Sequence, residues 1–194
     1  AKGLLISAIR DDNPVIFLEH RWLYWLEGDV PSNTYTVPLG KSHTLRAGRD
    51  ITIVATSWMN VEAAKAAEIL SRLHGVEVEI IDVRTIYPLD DAPIVKSAIK
   101  TGHAIVADYD WEFCGFSAEV AARVAEKCFN KLKSPVKRIA FPHAFPPTTR
   151  PLENAFYPNA VTIIRQAEKK LGLKEADLRG ENFYSWENKF KGPF

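Results

Sequence analysis

From Asp50 onward, apolar runs of strand length alternate with amphipathic stretches of helix length. Residues 51–55 (Ile-Thr-Ile-Val-Ala) read as a strand, and residues 61–74 as a helix with Asn60 as its cap. Ala63, Ala66, Ala67, Leu70 and Leu73 fall on one helical face, and Glu62, Lys65, Glu68 and Arg72 on the other, at ion-pair spacing. Gly75 stops this helix. Residues 76–82 and 103–108 are the next strands, with a helix from Asp90 to about residue 100 between them. Ser117 is placed to cap a helix over residues 118–132, carrying the stripe Ala121, Ala125, Cys128 and Leu132. Residues 136–140 form a fourth strand, residues 141–151 a Pro-rich loop, and residues 160–171 a final helix stopped by Gly172. Strands separated by helices of this length predict an α/β fold, a three-layer, mostly parallel sheet covered on both faces.

The flanks do not follow that rhythm. Residues 4–9 look like the last turns of a helix, Asp11-Asp12-Asn13-Pro14 is a turn, and residues 15–18 (Val-Ile-Phe-Leu) are apolar throughout. A strand of that kind needs neighbours and cover on both faces. Residues 1–25 are therefore expected to be the truncated end of a second α/β domain, and residues 26–49, with Gly28, Pro31, Asn33, Pro38 and Gly40, a linker. Residues 50–171 make the complete domain. Residues 172–194 are a polar tail that carries Phe183, Tyr184, Trp186, Phe190 and Phe194. The aromatic spacing fits no single helix face, so the tail is expected to lie extended across a surface, anchored by Trp186.

Composition narrows the chemistry mainly by exclusion. With 194 residues, 46% hydrophobic content and a formal charge of +1, the chain offers no reason to expect nucleic acid or an anionic membrane as partner. The basic cluster Lys127, Lys131, Lys133, Lys137 and Arg138 reads as a solvated face. No apolar stretch has the length of a membrane span. Cys114 and Cys128 lack metal spacing, and both read as reduced, intracellular thiols, Cys128 in the core and Cys114 in a loop. There is no Gly-rich phosphate loop, nucleophile elbow or zinc-binding helix motif. His20 sits at the end of an apolar run, where α/β sheets face ligands, but it has no catalytic companions in the sequence and reads as a structural or interface residue.

Several stretches together resemble a family. Residues 3–5, 11–20 and 23–24, the segment Tyr35-Thr36-Val37-Pro38-Leu39-Gly40-Lys41, and Ile80-Ile81-Asp82-Val83-Arg84-Thr85-Ile86-Tyr87-Pro88-Leu89-Asp90 are similar to the E1 β subunits of thiamine diphosphate-dependent 2-oxoacid dehydrogenases. Thr101-Gly102 and Gly115-Phe116-Ser117-Ala118-Glu119 continue the likeness, and residues 139–158 do so more loosely. The resemblance covers roughly residues 3–171 in order. It implies that residues 50–171 are a transketolase C-terminal domain and residues 1–25 the remnant of a pyrimidine-binding domain.

The resemblance also implies a reaction: oxidative decarboxylation of pyruvate or a branched-chain 2-oxoacid, with acyl transfer to lipoyl on the E2 component. In the family the catalytic Glu and His lie upstream of Ala1, and the α subunit holds the diphosphate and Mg²⁺. No catalytic or cofactor-binding residue is therefore assigned here. This portion is expected to serve as scaffold and in assembly with an E1 α subunit, a second β subunit and E2, in the cytoplasm or a mitochondrial matrix. One family site maps onto the chain, a K⁺ site at Ala8, Asp11 and Asn13, although the same residues also make good turn chemistry. Cys114 departs from the family, where Gly is frequent. Arg84 is read as pairing with Asp82 or Asp90 in a scaffold role. Two other readings stay open: a different transketolase-like enzyme, such as one of acetoin or carbohydrate pathways, and a non-catalytic assembly domain.

Overall fold

A computed structural model describes residues 1–181 and 183. Five strands form one sheet in the order β1-β3-β2-β4-β5: β1 (His43–Arg46), β2 (Ile51–Ala55), β3 (Val78–Asp82), β4 (Ala104–Trp111) and β5 (Lys137–Phe141). β2, β3, β4 and β5 are mutually parallel, and β1 is antiparallel to β3. The helices are α1 (Lys2–Ile9), α2 (Met59–His74), α3 (Ala92–Thr101), α4 (Phe116–Cys128), α5 (Arg150–Phe156) and α6 (Ala160–Leu171).

Side chains on a strand alternate between faces, which splits the core in two. Ile53, Ala55 and Ile80 pack with α2 and α6 on one face, and Val54, Ile81 and Val106 with α3 and α4 on the other. β2 is buried along its whole length, as expected for a central strand with helices on both sides. Gly75 and Gly172 end α2 and α6 at φ +66, the left-handed backbone that glycine adopts without a Cβ penalty.

Several expectations are corrected. Residues 15–18 form no strand: none of the described residues pairs with them, and Ile16 and Leu18 are 86% and 76% exposed. Residues 26–49 are more than a linker. Residues 31–37 fold back on α1, where the Val37 N–H donates to the Gly3 carbonyl at 3.1 Å, Ser7 Oγ to the Val37 carbonyl at 2.6 Å, and Lys2 Nζ to the Asn33 carbonyl at 2.9 Å. β1 then joins the sheet as an edge.

The helix faces and caps also shift. Leu73 is 38% exposed, whereas Glu62, expected in solvent, is 2% exposed. Its carboxylate accepts the Ala160 N–H at 2.8 Å, at the start of α6, where a negative charge meets unpaired amides and the positive helix end. The buried stripe of α4 is Val120, Val124 and Cys128, with Ala125 exposed. Asn60, Asp90 and Ser117 do not cap. Asn60 Nδ2 donates to Asp82 Oδ1 at 2.9 Å, and Asp90 accepts the Ser42 N–H at 3.3 Å. The capping box belongs instead to Asn159 and Thr162 at α6. Part of the expected Pro-rich loop and the residues after it form α5.

The tail packs as far as it is described. Glu168 accepts the Ala176 N–H at 2.8 Å, Arg72 pairs with Glu181 at 2.5 Å, and Phe183 is 7% exposed within the α2/α6 core. Tyr184, Trp186, Phe190 and Phe194 lie outside the described residues.

Candidate functional site

The chain reverses its winding at β2, with β3 on one side and β4 on the other. In open α/β sheets, ligands and partners meet the C-terminal strand edge at such a point. Among the described residues, the three non-glycine residues in left-handed backbone, Ser57 (φ 48), Arg84 (φ 58) and Cys114 (φ 56), all stand in the loops that leave β2, β3 and β4 at this edge. Strain of this kind persists only where the surroundings enforce it. At Cys114 the backbone takes the form that glycine would adopt freely.

Asp108, 5% exposed at this end of β4, holds the edge together. Its carboxylate accepts from Thr56 Oγ1 at 2.7 Å, the Tyr109 N–H at 2.9 Å and the Ser117 N–H at 3.2 Å. Burial raises its pKa above the usual carboxylate range despite these donors. The start of α4 is thereby filled from within. A Cβ on Gly115 would lie 1.9 Å from the Trp111 carbonyl, so the backbone is closed against itself there. On β3, Asp82 Oδ2 accepts from Arg84 Nε at 3.0 Å, the scaffold pairing expected of Arg84.

Over this edge lies an aromatic layer. His20 stacks on Trp58 at 6.0 Å and meets Tyr109 edge-on at 5.4 Å, while Trp22 meets Trp58 edge-on at 5.4 Å. Tyr109 continues into Phe141 at 4.8 Å and Tyr157 at 5.8 Å. Burial depresses the His20 pKa, and burial with the nearby Glu62 raises that of Tyr109. His20 Nδ1 accepts the Trp22 N–H at 3.3 Å, which caps the short 3-10 helix Arg21–Trp25. This is the chemistry of a joint: it docks residues 20–25 onto the strand ends. Trp58 and Tyr109 were legible only as aromatics following two strands, a signal too common to single them out.

The residues of the expected K⁺ site are together at the end of α1. The Ala8 carbonyl accepts the Asp11 N–H at 3.4 Å, and Asp11 Oδ1 accepts the Asn13 N–H at 2.9 Å and Asn13 Nδ2 at 3.0 Å. These bonds to Asn13 hold the Asp11 carboxyl below its usual range. Among the described residues no group of three or more His, Cys, Asp or Glu is arranged to hold a metal. Cys114 is exposed and Cys128 buried, as expected. No helix among the described residues is long and apolar enough to cross a membrane.

Residues 40–163 match the family described as the transketolase C-terminal domain. The β subunit of acetoin:2,6-dichlorophenolindophenol oxidoreductase from Cupriavidus necator is 39% identical over 170 residues, 88% of this chain and 50% of that protein. The pyruvate dehydrogenase E1 component subunit beta of Bacillus subtilis is 40% identical over 172 residues, 88% of this chain and 52% of that protein. A solved structure of a split gene transketolase, an inactive beta4 tetramer, matches with a TM-score of 0.61 at 26% identity, covering 76% of this chain and 48% of that one. The chain spans about half the length of the curated relatives it matches.

Proposed function

The chain belongs to the transketolase C-terminal domain family, and from this we propose that it is part of the β subunit of a 2-oxoacid dehydrogenase E1 component. The observation that carries this reading is the continuity of the match. It extends over 88% of the chain in relatives named as E1 β subunits, well past the domain itself into residues of the first segment. The role proposed for this portion is scaffold and assembly: the parallel sheet supplies a rigid body, and the His20–Trp58–Tyr109 layer fixes the preceding segment on it. The E1 α subunit, a second β subunit in a heterotetramer and a lipoyl-bearing E2 are the proposed partners, and bacterial relatives make the cytoplasm the expected location.

Thiamine diphosphate, with Mg²⁺, is the proposed cofactor of the whole assembly, where it would supply the electron sink that a decarboxylation needs. The residues of this chain do not fit it. The helix start that would receive a diphosphate, at α4, is filled by Asp108 and closed by the Trp111 carbonyl. Calorimetry of the chain with thiamine diphosphate and Mg²⁺ is expected to give no saturable heat, and micromolar binding would overturn this assignment.

The near-equal identity to the acetoin relative supports a second reading, an acetoin-cleaving enzyme. Chimeras separate the two. Residues 1–171 would replace the matching half of the Bacillus subtilis pyruvate dehydrogenase E1 β subunit and of its acetoin counterpart, each co-expressed with its own α subunit. Activity with pyruvate alone supports the first reading, and activity with acetoin alone the second. Chimeras that assemble but are inactive with both would leave a purely structural domain. Ala8, Asp11 and Asn13 stand as a proposed K⁺ site, since carbonyl, carboxylate and amide oxygens are hard ligands at a negative helix end. KCl is then expected to raise the melting temperature more than NaCl at equal ionic strength, and Asp11→Ala to erase the difference. Equal curves in the two salts would leave only a turn.

A further inference from the structure

Away from the strand-end joint, a cleft of about 550 Å³ opens between β1, β3 and the outer side of α3. Its lining includes Lys41, Thr44, Glu79, Asp90, Lys96 and Lys100. The two carboxylates are engaged within the fold. Glu79 accepts from Lys100 and from the Gly48 N–H at 3.2 Å, and Asp90 from the Ser42 N–H at 3.3 Å. The cations are less committed. Lys41 lies 4.0 Å from Asp90 with its side chain 67% exposed, and Lys96 makes no ion pair among the described residues. Three ammonium groups against two carboxylates leave the cleft with a net positive charge, with Lys100 held by Glu79, Lys41 only loosely by Asp90 and Lys96 in no ion pair among the described residues.

The cations that line the cleft are lysines. Among the described residues no arginine lines the cleft, so no guanidinium fork is available to grip a carboxylate or a phosphate bidentately. Lysines act as mobile point charges and suit a tetrahedral dianion approached from several sides. The volume lies within the range of small-molecule sites. We propose that this cleft binds a small phosphomonoester, its phosphate held by Lys41 and Lys96 with the Thr44 hydroxyl donating, and its body lying along α3.

Calorimetric titration of the chain with glycerol 3-phosphate tests this, with inorganic phosphate and glycerol as the other arms. Saturable binding is expected for glycerol 3-phosphate, weaker binding for inorganic phosphate and none for glycerol. The double variant Lys41→Gln/Lys96→Gln should bind about tenfold more weakly. Lys174→Gln, an exposed lysine outside the cleft, should bind as the parent does. Both exposed lysines can be replaced without opening the core, and unchanged melting curves would verify it. Absence of saturation below about 10 mM, or an equal loss in Lys174→Gln, would overturn the proposal.

Discussion

Replacing Glu168 by alanine is expected to lower the melting temperature by roughly 10 °C, from a loss of about 3–5 kcal/mol. The side chain is 1% exposed and joins three parts of the chain. It meets His74 Nε2 at 3.0 Å at the end of α2, accepts from Arg165 Nη1 at 2.8 Å within α6, and accepts the Ala176 N–H at 2.8 Å in the segment beyond. Alanine would leave a part-buried amide, a guanidinium and an imidazole without their acceptor, and the cost of that exceeds what the intact bonds contribute. Phe183, buried just downstream, would lose its tether. Burial pushes the Glu168 carboxyl up, but the Ala176 N–H, Arg165 and His74 together hold it below its usual range. A depressed carboxylate contributes fully above the unfolded pKa, about 4.3, and loses its contribution as pH falls through the folded value. The gap between parent and variant should therefore narrow in acid below that range. Arg179→Ala, which removes the 90% exposed partner of Asp177, should be nearly silent. A Glu168→Ala loss no larger than that of Arg179→Ala would show that the junction does not hold the segment.

The parallel core was legible because its apolar periods are long and unmixed: residues 51–55 and 160–171 are read correctly from the pattern alone, and so are the glycine stops. The flanks were not, for a different physical reason at each place. β1 (His-Thr-Leu-Arg) carries no alternation and is mostly exposed, so only its pairing with β3 makes it a strand. Residues 15–18 carry a strong apolar run but have no described strand to pair with, and hydrophobicity cannot supply one. Glu62 was placed in solvent because it is charged, yet the orphan amide of Ala160, far along the chain, draws it inside. Asn60 and Asp90 are good caps that longer-range partners took instead. The site was the least legible part. His20, Trp22, Trp58 and Tyr109 come from three separate stretches, and only the topology brings their rings together.

Trp58→Ala is the second large effect, expected to cost about 3–5 kcal/mol. Trp58 is 2% exposed at the start of α2, with His20 stacked on its ring, Trp22 against it and Lys65 Nζ 5.6 Å from its centroid. Removing it opens a cavity between the domain and residues 20–25, so the damage should be local as well as global. Amides of residues 20–26 should exchange much faster, whereas in Glu168→Ala they should keep their protection until global unfolding. Trp58→Phe retains a ring for His20 and should recover most of the protection. The joint should also respond to pH. Burial depresses the His20 pKa, so its contribution is complete above the unfolded value, about 6.5, and declines as pH falls towards the folded one. Tyr109, Trp58 and Trp22 face the ring, Glu62 acts on Tyr109, Lys65 Nζ lies over Trp58, and Glu19 and Arg21 flank His20 in the chain. Between pH about 7.5 and 5.5 the parent should lose more stability than His20→Gln, which cannot take up the proton. Equal losses in both proteins, with unchanged exchange at residues 20–26 in Trp58→Ala, would mean that the aromatic layer covers the strand ends without fastening the first segment to them.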